Sequence, residues 1–103
     1  SILQKFNCNA IGLCGADANL ITSKIRETKE IDYGLVGDIV SINDNFINQL
    51  LKLKISPVIC SLTHNGNGQL LNTNADSIAS EISIKLSKNY DVTLKYCFDK
   101  KGL

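Results

Sequence analysis

Two helical stripes separated by short apolar runs constrain this chain more than any other feature. Asn43 can cap a helix that starts at Asp44 and runs through Lys54, with Ile47, Leu50, Leu51 and Lys54 along one side. A second helix is expected from Asn74 to about Lys88, where Ile78, Ala79, Ile82 and Leu86 oppose Ser80, Glu81, Lys85 and Lys88. Candidate strands lie around them: Ala10 to Cys14, the partly alternating Leu20 to Arg26, Ile31 to Val40, Ser56 to Leu62 and Val92 to Phe98. Helices alternating with such strands imply an α/β fold with a mainly parallel, helix-covered sheet.

Ligands of such sheets lie beyond the carboxyl ends of the strands. Gly15-Ala16-Asp17, the stretch from Leu62 to Asp76, and Asp99 to Gly102 all follow candidate strands, so these loops are expected to converge on one edge. Within the second, Asn65-Gly66-Asn67-Gly68 reads as a tight turn, because Asn and Gly tolerate positive φ. Leu71-Asn72-Thr73-Asn74-Ala75-Asp76 follows, with amide or carboxylate heads at alternate positions and Thr73 or Asn74 placed to cap the second helix. A polar connection with a good cap is the plain reading of this stretch. The expected convergence makes Asn72, Asn74 and Asp76 candidate functional residues beside a helix N-terminus, which favours anions. Gly34 and Gly37 suggest a bend, or a close approach of backbone to a ligand, with the bend favoured. His64, alone near a loop, reads as a surface residue rather than an acid or base.

Composition narrows the functional class. At 103 residues the chain has room for one domain, and 44% hydrophobic with 20% charged residues is a globular balance. Eleven basic against ten acidic residues leave +1, which argues against a nucleic-acid or membrane-surface binder. No apolar run approaches the roughly 20 residues that cross a bilayer, so the cytoplasm is the expected compartment. Four cysteines lack a C-x-x-C spacing and read as buried thiols; with one His, no metal site is expected. The sequence has no Met and starts and stops within patterned sequence, which reads as a piece of a longer protein.

Five blocks occur in a telling order: Gly12-Leu13-Cys14-Gly15-Ala16-Asp17, Asp32-Tyr33-Gly34-Leu35-Val36-Gly37-Asp38-Ile39, Pro57-Val58-Ile59, Asn72-Thr73-Asn74-Ala75-Asp76 and Asp99-Lys100-Lys101-Gly102. Together they resemble the acetylglutamate kinases of the amino acid kinase family across nearly the whole chain. The resemblance implies an αβα sandwich, homo-oligomers, and transfer of phosphate from MgATP to the side-chain carboxylate of an N-acylated glutamate in arginine biosynthesis, the acyl group being acetyl or succinyl. It implies substrate-holding roles for Asn72 and Asn74, and it makes Asp76 the carboxylate that orients catalytic lysines. Asp99, Lys100, Lys101, Gly102 and Leu103 match the start of the nucleotide-binding segment, although Tyr96-Cys97-Phe98 departs from the usual apolar strand before it. The family's lysine-glycine-glycine and triple-glycine motifs and its second catalytic lysine have no counterpart here. Residues 1–103 are therefore expected to be the central part of one such domain, inactive alone. Two other readings remain at this point: a small non-catalytic α/β binding or interaction module, which should expose no large apolar patch, and a thiol-redox protein.

Overall fold

The computed structural model describes residues 2–27 and 32–97. In chain order the elements are α1 (Ile2–Lys5), β1 (Ala10–Leu13), a 3-10 turn (Asp17–Asn19), β2 (Ile21–Glu27), β3 (Asp32–Ile42), α2 (Asp44–Lys52), β4 (Ser56–Ile59), β5 (Leu62–His64), β6 (Leu70–Asn72) and α3 (Ala75–Leu86). The α/β class holds. Strands β1 and β4 pair in parallel, Ala10 opposite Ser56 and Leu13 opposite Ile59. The other four close a small barrel in the order β2-β3-β6-β5. Its antiparallel ladders are β2–β3 and β5–β6, joined by short parallel contacts of Thr22 with His64 and Val36 with Asn72.

The core lies where the helices cover these strands. Leu20, Ile21, Ile42, Ile47 and Ile78 are buried together, and Leu13, Ile39, Phe46, Leu51, Ile59, Ile82 and Leu86 pack against them. Burying an aliphatic side chain of this size stabilises by about 1.5–3 kcal/mol, so this cluster holds the two helices on the strands. On α3 the inward residues Ile78, Ile82 and Leu86 repeat every fourth position, as the periodicity predicts.

The first cap is as expected: the Asn43 side chain accepts the Phe46 N–H at 3.2 Å, and its amide donates to the Ala18 carbonyl at 3.0 Å. Helix α2 stops at Lys52 rather than continuing through Lys54. Lys54 sits in the left-handed region at φ 59. Its N–H donates to the Leu51 carbonyl and the Ile55 N–H to that of Leu50, both at 2.9 Å, a Schellman closure at a position where glycine is usual. Lys54→Gly is expected to raise stability by up to about 1 kcal/mol, because a Cβ is strained in that conformation; denaturant unfolding of the two proteins checks it.

Several expectations fail for identifiable reasons. The run Ser56 to Leu62 is two strands, not one: β4 pairs with β1, whereas β5 belongs to the barrel. Apolar periodicity does not mark where a chain changes sheets. Among the described residues, 92–97 form no strand, and Phe98 lies outside them. Strand propensity becomes a strand only where an edge supplies ladder hydrogen bonds. The thiols are not buried either: Cys8 and Cys14 are half-buried, and Cys60 and Cys97 are exposed. Cys60 lies just past the end of β4 and Cys97 in the irregular tail, so apolar neighbours in sequence do not become neighbours in a core. His64, expected at the surface, is buried at the end of β5 with 9% exposure.

Candidate functional site

Two of the three loops expected to converge do meet. The Gly15 N–H donates to the Leu62 carbonyl at 2.6 Å and its own carbonyl accepts from the Ile21 N–H at 2.9 Å. This stitches the end of β1 to both β2 and β5. The third loop, with Asp99, Lys100, Lys101, Gly102 and Leu103, lies outside the described residues.

Alternation carries the candidate stretch out of the barrel. Leu71 and Thr73 are buried, whereas Asn72, Asn74 and Asp76 are exposed. Thr73 holds the register: its hydroxyl donates to the Gly37 carbonyl at 3.2 Å and meets the buried Thr63 hydroxyl at 2.9 Å. One hydroxyl carries one proton, so with Thr73 donating to Gly37 the 2.9 Å contact takes the Thr63 proton, whose other acceptor in reach is the Leu71 carbonyl at 3.4 Å. The Thr73 N–H also donates to the Ser61 carbonyl at 3.0 Å. Asn72 and Asn74 thus flank a residue fixed to β3 and β5.

Asn74 is the α3 cap. Its Oδ1 accepts the Asp76 N–H at 2.8 Å and the Ser77 N–H at 3.2 Å. These two donors of the helix N-terminus are taken up by the cap expected from the sequence; the Asn74 side-chain amide N–H groups have no partner among the described residues. The Asp76 carboxylate, in the first turn where negative charge is favoured, makes no hydrogen bond or ion pair among the described residues.

A pocket of about 150 Å³ opens beside Asn74. The β2–β3 hairpin supplies Arg26, Gly37, Asp38 and Ile39; the segment entering α3 supplies Thr73, Asn74, Ser77 and Glu81. Asn72 and Asp76 adjoin this wall in sequence but do not line the pocket. Arg26 is held on two sides. Its Nε and Nη2 both donate to Asp38 Oδ1, at 2.9 and 2.7 Å, and its guanidinium carbon lies 5.5 Å from the centre of the Tyr33 ring. The Nη1 edge has no hydrogen-bond partner among the described residues. Hydrogen bonds from Arg26, with its charge, hold the Asp38 carboxyl below the ordinary range, and Asp38 in turn raises Arg26. The carboxyl is depressed in the folded state, so the pair's contribution is complete above the ordinary carboxylate pKa and is lost as pH falls through the lowered value. At 41% and 40% exposure the pair orients the guanidinium more than it stabilises the fold.

Arg26 and Asp38 were not legible as site residues. They are twelve apart in sequence and meet only because the hairpin register sets Lys24 opposite Asp38 and Ile25 opposite Gly37, with an irregularity before Glu27. Ser77 and Glu81 are one helical turn apart and could have been placed on the Asn74 side of α3 by periodicity. The two glycines of β3 differ in place, Gly37 lining the pocket and Gly34 lying away from it. Gly34 bends at φ +66 with its N–H bonded to Asp32 Oδ1 at 2.8 Å, and Gly37 lets Leu71 and Ser23 pack against bare backbone.

The pocket is small beside the roughly 300–1,000 Å³ of sites that enclose a drug-sized ligand. With one cation, Arg26, already paired to Asp38, and a second carboxylate at Glu81, the lining carries no excess positive charge and does not fit the phosphates of a nucleotide. Among the described residues no helix is long and apolar enough to cross a membrane.

Residues 1–94 match the model of the amino acid kinase family. A curated acetylglutamate kinase from Phocaeicola vulgatus is 52% identical over 101 residues, covering 98% of this chain and 39% of that protein. Another, from Azobacteroides pseudotrichonymphae, is 52% identical over 102 residues, with 98% and 40% covered. The acetylglutamate kinase of Cyanidioschyzon merolae is 44% identical over 94 residues, 91% of this chain and 31% of that protein. The chain therefore spans about two fifths or less of the curated relatives it matches. Among solved structures, that of smu.665 from Streptococcus mutans UA159 superposes with a TM-score of 0.74 at 26% identity, over 84% of this chain and 34% of that one.

Proposed function

This chain belongs to the amino acid kinase family, and we propose that it is the central segment of an enzyme that phosphorylates the side-chain carboxylate of an N-acylated glutamate. The observation that carries the reading is 52% identity to named acetylglutamate kinases across 98% of the chain. The acyl phosphate product, the MgATP donor, a homo-oligomeric cytoplasmic enzyme and a role in arginine biosynthesis belong to the same reading. Residues around the pocket do not fit a polyphosphate, so the nucleotide is assigned to other parts of the protein, beginning with Asp99 to Leu103.

This segment's own task is then to hold the acyl amino acid. Asn72 and Asn74 offer amide groups to its carboxylate and acyl oxygens without adding repulsive charge. Arg26, fixed by Asp38 and Tyr33, turns its Nη1 edge, without a partner among the described residues, to an acidic group of the substrate, a charge-assisted bond. The standalone-module reading gains no support. Ile2 and Phe6, each 75% exposed, precede β1, and Val58 on β4 is 50% exposed, apolar side chains that the described residues leave uncovered.

The test is activity of the intact protein with MgATP on N-acetylglutamate and N-succinylglutamate. Phosphorylation of one or both supports the reading, and activity on neither sinks it. Arg26→Gln is expected to raise KM about tenfold with turnover largely kept, as loss of one charged hydrogen bond predicts. An unchanged KM would remove Arg26 from the site while leaving the activity assignment intact.

A further inference from the structure

The turn between β5 and β6 carries the same reactive pair twice, Asn65-Gly66 and Asn67-Gly68. An asparagine followed by glycine is open to attack by the next backbone nitrogen on its side-chain amide carbon. Glycine has no Cβ to obstruct the approach and reaches the required dihedrals freely. Sequence gives no reason for the two pairs to differ.

The fold treats them differently. Asn65 Oδ1 accepts the N–H groups of Asn67 at 2.8 Å and Gln69 at 3.2 Å. The Gly66 N–H, whose nitrogen would have to attack, donates to Nδ1 of the buried His64 at 3.1 Å. Electrophile and nucleophile of the first pair are therefore both held. In the second pair both residues are exposed. Neither the Asn67 side chain nor the Gly68 N–H has a hydrogen-bond partner among the described residues.

We propose that Asn67 is a site of spontaneous covalent modification and that His64 and the Asn65 turn protect the neighbouring pair. The Gly68 nitrogen bonds to Asn67 Cγ, the Cγ–Nδ2 bond breaks, and ammonia leaves with the proton given up by Gly68. Water then opens the cyclic imide at either carbonyl, leaving aspartate or isoaspartate. Water is consumed and ammonia released, with no change of oxidation state. The turn gains a negative charge, and the isoaspartate branch lengthens the backbone of the hairpin that ends in Asn72.

Intact protein aged at mildly alkaline pH, folded or in urea, and mapped by peptide fragmentation tests this. In the folded protein Asn67 is expected to convert at least about tenfold faster than Asn65, the ratio set by opening even one protecting hydrogen bond. In urea the ratio should fall towards one. His64→Ala should accelerate conversion at Asn65 alone; if that variant does not fold, the folded-to-urea comparison still decides. Equal rates in the folded protein, an Asn67 that stays intact, or a ratio that survives urea would each overturn the proposal.

Discussion

Gly15→Ala is expected to lower the stability of the intact protein by about 3 kcal/mol or more, at the upper end for overpacking a core. A Cβ at Gly15 would lie 2.7 Å from the Leu62 carbonyl oxygen, 2.8 Å from Thr63 Cα and 3.1 Å from Ile21 Cβ. The two shortest contacts are to backbone, which cannot rotate away as a side-chain end can. Relief requires β5 to move from β1, and that strains the 2.6 Å hydrogen bond from the Gly15 N–H to Leu62. Movement of β5 also displaces Thr63, and with it the hydroxyl relay to Thr73 between Asn72 and Asn74. Loss of activity should therefore accompany loss of stability. Denaturant unfolding with a native-like slope and a lower midpoint is the expected readout; a midpoint within error of the parent would mean the strands yield more easily than their packing indicates.

The second large effect is on chemistry. Asp76→Asn in the intact enzyme is expected to lower kcat by roughly 100-fold or more, the usual cost of removing one preorganised electrostatic group, with little change in KM. Asp76 is exposed in the first turn of α3, clear of the pocket wall, and its carboxylate has no partner within the described segment. A carboxylate left free in this way suits a partner elsewhere, in the proposed reaction a lysine whose charge and direction it fixes. It is a poor general base candidate, because a substrate carboxylate is already ionised near neutral pH. Asn72→Ala should instead raise KM as well. Removing negative charge from a helix N-terminus also costs a little stability, so melting temperatures must accompany the kinetics. Equal rises in KM for both variants with kcat untouched would dismiss this division of roles.

Local chemistry was legible in the sequence. Helix-period apolar residues put Ile47, Leu50, Ile78, Ile82 and Leu86 inward, Asn43 and Asn74 were readable as caps, and Asn65 to Gly68 as a turn, because each depends on residues within one or two turns of itself. The family resemblance added the candidate roles of Asn72, Asn74 and Asp76. Tertiary structure alone decided the rest. It split Ser56 to Leu62 between two sheets, buried His64 and left the cysteines outside the core. It also brought Arg26 and Asp38 together against Asn74 and Ser77 to form a pocket. The division has one physical cause. Turns, caps and helix faces are set by short-range sterics and hydrogen bonds that the sequence spells out, whereas strand pairing and burial depend on which distant edge is nearby, and no local pattern records that.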